Sequence, residues 1–407
     1  MAPAEESVLH AHMRAALDSR RQRSIIRRPH PDAFIPAPQN LVVQPRAQTA
    51  YRLFLKRLSF AVHLCASPRP SPRISPVGTS DPGLWGSRLL DGTHEAHLKI
   101  EQRLAKFFCP EPRYPSPNPT ALLFNSGFDA NVALFSVLPQ PGDWIIYDEL
   151  VHASVHDGMR SSRLAQSRRI AFKHSCVRIW KPRFDGRVLG PTRKTVRGCG
   201  RGAFDWSLWD GRGWVEQLGL GSRVHVRLHT FGKAMASSGG IVICDSLTRE
   251  YLINYARTFI FTTAPTIANV IAMGCSFDMV DNGTTQRLAA QLFKISTRFT
   301  TALRTRLENI PPRIMALPPF LKSEPTPIVP ILTPHPRQLA QHLRERGFLA
   351  RPINIRLFQG RERVRVCLHA ANTEEEVDGL VDALLEWAEE KRSGPRLGGR
   401  SFPIAKL

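Results

Sequence analysis

Long apolar runs are missing from this sequence. Nowhere do its 407 residues approach the roughly 20 consecutive apolar side chains that a bilayer-crossing helix requires. The N-terminal region also lacks the apolar core of a secretory leader. Both absences predict an intracellular protein with no membrane partner. Acidic residues are scarce, 34 Asp and Glu against 56 Lys and Arg, for a net charge of +22. The seven cysteines (Cys65, Cys109, Cys176, Cys199, Cys244, Cys275 and Cys367) are odd in number, scattered and never spaced as metal-ligand pairs. Neither a disulfide framework nor a zinc site is expected, and no metal is called for; they read as reduced thiols, mostly buried.

What is present suits a globular chain of two or three domains, since 42% of the residues are hydrophobic and 22% charged. The basic excess alone would point to nucleic acid or an acidic membrane surface. Its densest run argues otherwise. From Arg178 to Arg201 eight basic residues face the single acid Asp185, without the periodicity of a basic helical or strand face. No nucleic-acid partner is expected from it.

Residues 4–28 read as a solvated helix, with Val8, Met13, Ala16 and Leu17 at near-helical spacing, and prolines break up the stretch from Pro29 to Pro82. After Gly86 the texture becomes that of an α/β domain. Glu95–Phe108 has helical spacing, and Ala121–Phe124 and Ile145–Tyr147 read as buried strands, each followed by a turn and a helix, an order that suggests parallel strands. The pattern resumes at Val224, with a strand at Ile241–Cys244 and a helix from Leu247. A long helix at Ala290–Ile310 leads to strands at Pro327–Leu332 and Val364–His369 and a final helix from Thr373 to Lys391, opened by a Thr373/Glu376 capping box. The expected organisation is an irregular N-terminal segment (1–85), a large domain (86–285), a smaller C-terminal α+β domain (286–393) and a tail (394–407).

The sharpest motif is His229-Thr230-Phe231-Gly232-Lys233-Ala234, closed by Ser237-Ser238-Gly239-Gly240 and followed by an apolar strand. A lysine that forms an imine belongs in a tight, partly desolvated turn, where small neighbours admit a flat ring and burial lowers the amine's pKa. On its own, such a lysine is more often a surface residue. Its companions alter that balance. Asn125-Ser126-Gly127-Phe128 follows a strand and opens a helix, a geometry in which backbone N–H groups bind phosphate. Asp148 to Ser154 follows the next strand and places His152 where its imidazole can stack on an aromatic ring; alone, His152 would read as structural.

Five motifs, GSRLLDG (Gly86–Gly92), FNSGFDAN (Phe124–Asn131), YDELVHASVHDGM (Tyr147–Met159), HTFGKA (His229–Ala234) and FTTAP (Phe261–Pro265), occur in the order and spacing of the α-oxoamine synthases. Over residues 86–176 and 212–391 the chain resembles that family, most closely its biotin-forming branch. The resemblance implies fold type I of the pyridoxal-phosphate (PLP) transferases, with a large domain on a mostly parallel sheet. It also implies a decarboxylating condensation of an amino acid with an acyl-CoA. By the same resemblance, Lys233 would hold the cofactor and move the substrate's α-proton, and His152 would stack on the pyridine ring. Ser126, Gly127, Phe128 and Thr230 would surround the cofactor and its phosphate. Thr262 and Thr263 would reach the phosphate of the neighbouring subunit of a homodimer, and Arg365 would pair with the amino-acid carboxylate.

The family pattern fails in two places. Fold-type-I enzymes protonate the cofactor's ring nitrogen through a buried aspartate that opens a DEAH-like motif, preceded by SMDG. Neither stands between Cys176 and Gly211, and the family's opening motif, which resembles DFSSNDFLSL, is absent before Gly86. We offer one hypothesis for all three losses. Back-translated and read one nucleotide later, Gly200–Trp209 yields DEAHSTGLYG, Phe184–Arg187 yields SMDG, and Arg52–Ala61 yields DFSSNDFLSL. The stretches read as the product of a misplaced exon boundary or a frameshift, which also accounts for the arginine-rich run. The transcript tests this: a message confirming the present frame through Gly200–Trp209 rejects it. As written, the chain is expected to bind PLP poorly and to carry a gap in its sheet around 177–211.

The last residues, Ala405-Lys406-Leu407, differ from the peroxisomal SKL signal only by Ala for Ser and predict a peroxisomal address. Three other readings compete: a non-catalytic partner of an intact paralogue, a relative that uses glycine or serine, and a basic nucleic-acid binder.

Overall fold

The structure is a computed structural model that describes residues 8–23, 86–109, 119–172, 212, 215, 221, 224–318, 326–353 and 362–393. Arg52–Ala61, the run from Arg178 to Trp209 and the Ala405–Leu407 tail lie outside the described residues. The chain divides into two compact units, residues 1–200 with 220–274, and residues 201–219 with 275–407.

In the first unit, α1 (Val8–Gln22) precedes α2 (Glu95–Phe108), β1 (Thr120–Phe124), α3 (Gly127–Val137), β2 (Ile145–Asp148), α4 (Ala153–Arg160) and β3 (Arg169–Phe172). After these come β4 (Arg227–Thr230), β5 (Gly240–Cys244), α5 (Ser246–Tyr255) and α6 (Arg257–Ile260). The strand β5 lies between β1 and β4 and runs antiparallel to both. Thus β1 and β4 share a direction and β5 alone is reversed, because the short connection from β4 forces a direct return. The β2–β3 pair is parallel. Among the described strands of this unit the expected mostly parallel sheet is met only in the β2–β3 pair, since β5 runs antiparallel to both of its neighbours. The run Ile241–Cys244 is buried at every position, as continuous apolar strands are when both faces are covered.

The N-terminal helix corrects the sequence reading. Over its described residues it is not solvated, since Met13 and Leu17 are fully buried in the core with Leu122, Phe124, Leu134 and Leu252. Two apolar side chains one helical turn apart are enough to dock it, each contributing about 1.5–3 kcal/mol on burial. Arg21 bonds Glu250, and the Tyr255 hydroxyl donates to the Ala16 carbonyl at 3.1 Å.

Deep in this unit Glu101 is buried with Arg88 and Arg249. It pairs with Arg88, lies 2.9 Å from Arg249 and accepts the Leu123 N–H at 2.7 Å. Burial pushes its carboxyl up, but the two guanidinium groups outweigh that and hold it below the ordinary carboxylate range.

The helix α7 (Ile267–Asp281) spans the boundary between the units. The second unit holds α8 (Thr284–Arg306), β6 (Ile328–Leu332), α9 (Pro336–Glu345), β7 (Arg351–Ile353), β8 (Arg363–Cys367) and α10 (Glu374–Ser393). Its antiparallel sheet, ordered β6–β8–β7, buries Val329, Ile331, Val364 and Val366 against Phe299, Leu343, Leu384 and Trp387. The capping box of α10 is formed as read: the Glu376 N–H donates to Thr373 Oγ1 and the Thr373 N–H to Glu376 Oε2, each at 3.2 Å. Of the described thiols, Cys109 and Cys244 are buried while Cys275 and Cys367 are exposed, so burial is not general.

Candidate active site

The β4–β5 connection is a tight loop. Its neck closes through Phe231 N–H to the Gly239 carbonyl at 3.0 Å and Ser237 N–H to the Phe231 carbonyl at 3.1 Å. Gly239 has φ 118°, where a side chain would also meet the Phe124 carbonyl oxygen, so glycine is required there. Ala236 holds φ 47°, a left-handed conformation that strains a residue with a Cβ. Lys233 lies in this loop, and its Nζ donates to Thr230 Oγ1 at 3.3 Å.

The turn from β1 into α3 meets this corner. Ser126 caps α3, accepting the Asp129 N–H at 3.0 Å and donating its hydroxyl to Asp129 Oδ2 at 2.7 Å. Gly127 is pressed against Thr230 so closely that a Cβ would lie 2.2 Å from Thr230 Cγ2, and a Cβ on Gly240 would lie 2.8 Å from the Gly127 nitrogen. The first N–H groups of an eleven-residue helix thus share one corner with the Thr230 hydroxyl and the Lys233 amine. Such a helix start favours a phosphate.

Next to it, His152 caps α4. Its Nδ1 accepts the Ser154 N–H at 3.2 Å and lies 2.7 Å from the Ser154 hydroxyl, which in turn accepts Asn131 Nδ2 at 2.9 Å. With both Ser154 donors aimed at Nδ1, a neutral ring carries its proton on Nε2. Phe128 meets the imidazole edge-on, centroids 6.3 Å apart. On the rim, Asn125 Nδ2 donates to the Thr263 carbonyl at 2.6 Å, Thr263 bridges to Ser87, and Ala264 N–H donates to the Gly86 carbonyl at 3.0 Å. Three of the sequence motifs therefore meet at one edge.

The structure brings together Ser126, Gly127, Phe128, His152, Thr230 and Lys233, and sets Thr263 beside Asn125, with Thr262 next to it in the chain. Arg365 stands in β8 of the second unit, on the face turned away from the core. Lys233 is exposed, not buried as the tight turn suggests. The physical reason is the same set of small residues: Gly232, Ala234 and Ser238 admit a ring but cover nothing. Asn131 and Ser154 were not singled out in the sequence. Their only signal is polar character at positions that pack inward, Asn131 four residues into a helix and Ser154 two residues after the histidine.

An amine, an anion-binding helix start and a pinned imidazole are what PLP requires of a site, so the residues present fit it. The DEAH-like aspartate that the family resemblance would place at its ring nitrogen is missing from the sequence as written.

The sequence profile of the family described as aminotransferase class I and II matches residues 86–185 and 203–384 and passes over the stretch between. The chain is 38% identical to an 8-amino-7-oxononanoate synthase of Emericella nidulans over 74% of this chain and 80% of that protein. Among solved structures, a serine palmitoyltransferase of Sphingomonas wittichii superposes with TM-score 0.64 at 22% identity, over 77% of this chain and 81% of that one. An SPT solved with PLP superposes with TM-score 0.62 at 19% identity, over 75% and 80%.

Proposed function

The chain belongs to the aminotransferase class I and II family, and we propose that within it the protein is a PLP-dependent acyltransferase. Its reaction condenses L-alanine with a pimeloyl thioester and releases CO2, giving 8-amino-7-oxononanoate. One observation carries this reading: the start of α3, the Thr230 hydroxyl and the Lys233 amine share one corner, with His152 beside it. The 38% identity to the Emericella enzyme supports the choice of substrates.

Bound in that corner, PLP supplies an electron sink for the substrate carbon that loses its proton. The chain's own groups do the rest. Lys233 would hold the cofactor and then carry the α-proton from and back to the amino acid, a task suited to an amine able to swing on an exposed loop. The N–H groups at Ser126, Gly127 and Phe128, with Thr230, would hold the phosphate against the helix dipole. His152, fixed by Ser154 and Asn131, would lie flat on the ring. Arg365 would pair with the substrate carboxylate through its two-pronged guanidinium. In the net reaction the thioester C–S bond breaks as a new C–C bond forms, the carboxylate departs as CO2, and the thiolate takes up a proton.

The direct test is growth of a biotin auxotroph that lacks this step. The gene with its shifted stretches restored to frame should rescue growth, and the same gene with Lys233→Ala should not. Failure of the restored gene, with a glycine- or serine-derived ketone formed by the purified protein, would move the assignment to another branch of the family.

The site is also proposed to be shared between two copies. Phe261 is 68% exposed and Leu90 57% exposed, apolar area next to the rim that a second copy would cover while Thr262 and Thr263 reach its phosphate. Light scattering of the purified protein at twice the chain mass is the expected outcome. A peroxisomal address through Ala405-Lys406-Leu407 is proposed as well; a fluorescent protein bearing this tail should become punctate, and a diffuse signal rejects it.

A further inference from the structure

At the far end of β5 from Lys233, three metal-binding side chains from three separated segments converge. His10 comes from α1, His225 from just before β4, and Asp245 caps α5. His10 Nε2 lies 3.1 Å and His225 Nδ1 3.4 Å from the same Asp245 oxygen, Oδ2. All three donor atoms lie within 4.8 Å of one another. The five residues of β5 separate them from the Lys233 loop by about 15 Å, so the cluster takes no part in the site described above.

We propose that His10, His225 and Asp245 form a structural site for a divalent zinc ion that staples α1 to the sheet. Two imidazole nitrogens and one carboxylate oxygen are a donor set that suits Zn2+. In a tetrahedral site with bonds of about 2.0–2.1 Å, donor atoms stand about 3.3 Å apart, and the two measured separations fall on either side of that value.

The surroundings supply what such a ligand set needs. Thr248 Oγ1 lies 3.0 Å from His225 Nε2 and 3.0 Å from Asp245 Oδ2. With the ion on Nδ1, the Nε2–H of His225 donates to the Thr248 oxygen and the Thr248 hydroxyl donates on to the carboxylate, which fixes both ligands in orientation. The Thr248 N–H holds the other carboxylate oxygen at 2.8 Å. Exposure is graded: the His225 side chain is 1% exposed, Asp245 11% and His10 24%. The fourth position therefore opens beside His10, where water completes the tetrahedron. Unlike a cysteine site, this one leaves no spacing signature, since its ligands are 215 and 20 residues apart in the chain.

The test is titration of the full chain with Zn2+ alone against a chromophoric chelator, repeated with Co2+ for its visible ligand-field bands. One ion per chain is expected, with tetrahedral Co2+ bands. His10→Ala, at a partly exposed helix position, should abolish both while circular dichroism shows the helix content of the parent. Thr248→Val should weaken the site about 10–100-fold. Zn2+ should raise the melting temperature of the parent chain and not that of His10→Ala. The proposal is overturned if the chain binds no ion in competition with the chelator. It is equally overturned if binding survives His10→Ala undiminished, which would place the ion elsewhere, for example on the exposed thiols Cys275 and Cys367.

Discussion

Gly127 is where the candidate site tolerates least. A methyl group there would stand 2.2 Å from Thr230 Cγ2, and Thr230 cannot rotate away without giving up its contact with Lys233. Gly127→Ala should cost about 1–3 kcal/mol in stability by overpacking and weaken PLP binding by moving the helix start; denaturant melts and a PLP titration measure both. A variant as stable and as tight as the parent would show that the corner is not packed as described. Asn131 acts one step further back, through Ser154 on His152. Asn131→Ala should cost about 1–3 kcal/mol by leaving the buried Ser154 hydroxyl short of a donor. It should also shift the visible band of bound PLP at full loading, a change that a purely structural role would not produce. The candidate site was legible through the ordered set of five motifs and the family they resemble, since Lys233 or His152 taken singly reads as an ordinary surface or structural residue. The Asn131–Ser154 link was not, since it joins positions 23 apart that no periodicity relates.

Helices announce themselves by their ends. The limits Glu95–Phe108 read from the sequence are those of α2, whose start is fixed by reciprocal bonds: Ala96 N–H to the His94 ring and His94 N–H to His97 Nδ1, both at 3.0 Å. By contrast α7 was missed, because its apolar residues are spread around the helix and leave no stripe. Likewise α9 hides behind its opening proline, and β7 has only three residues. The α2 cap carries a pH prediction. His97 is buried, accepts the His94 N–H on Nδ1 and lies 2.7 Å from the Pro265 carbonyl through Nε2. Burial first, then the Arg88 charge, push its pKa down to about 4, against the Pro265 carbonyl and Glu101, which favour the charged ring. The unfolded chain takes up this proton near pH ~6.5. Its contribution to stability is therefore complete above that pH, falls as the pH drops toward about 4, and changes no further below. Denaturant midpoints over that range should fall for the parent and flatten in His97→Gln; parallel curves would contradict this.

At the scale of the whole molecule, fold class was readable because alternating buried strands and helices leave few architectures open. The docked N-terminal helix was not, because its two core side chains make too short a stripe to separate from a solvated helix. About a third of the charge excess sits between Arg178 and Arg201, which overlaps the stretch passed over by the family profile. If Gly200–Trp209 is out of frame, restoring it returns the aspartate that the family resemblance would place at the cofactor's ring nitrogen. The restored chain should bind PLP about 10–100-fold more tightly, as a charge-assisted hydrogen bond of about 1.5–3 kcal/mol implies; equal affinities would reject the frameshift as the cause of weak binding. The central claim concerns one amine, and reductive trapping tests it most directly. The chain is loaded with excess PLP, reduced with borohydride, digested and mapped by mass spectrometry. A pyridoxyl label concentrated on Lys233 and lost in Lys233→Ala is the expected result; a label spread over surface lysines, or centred on another one, would contradict the account.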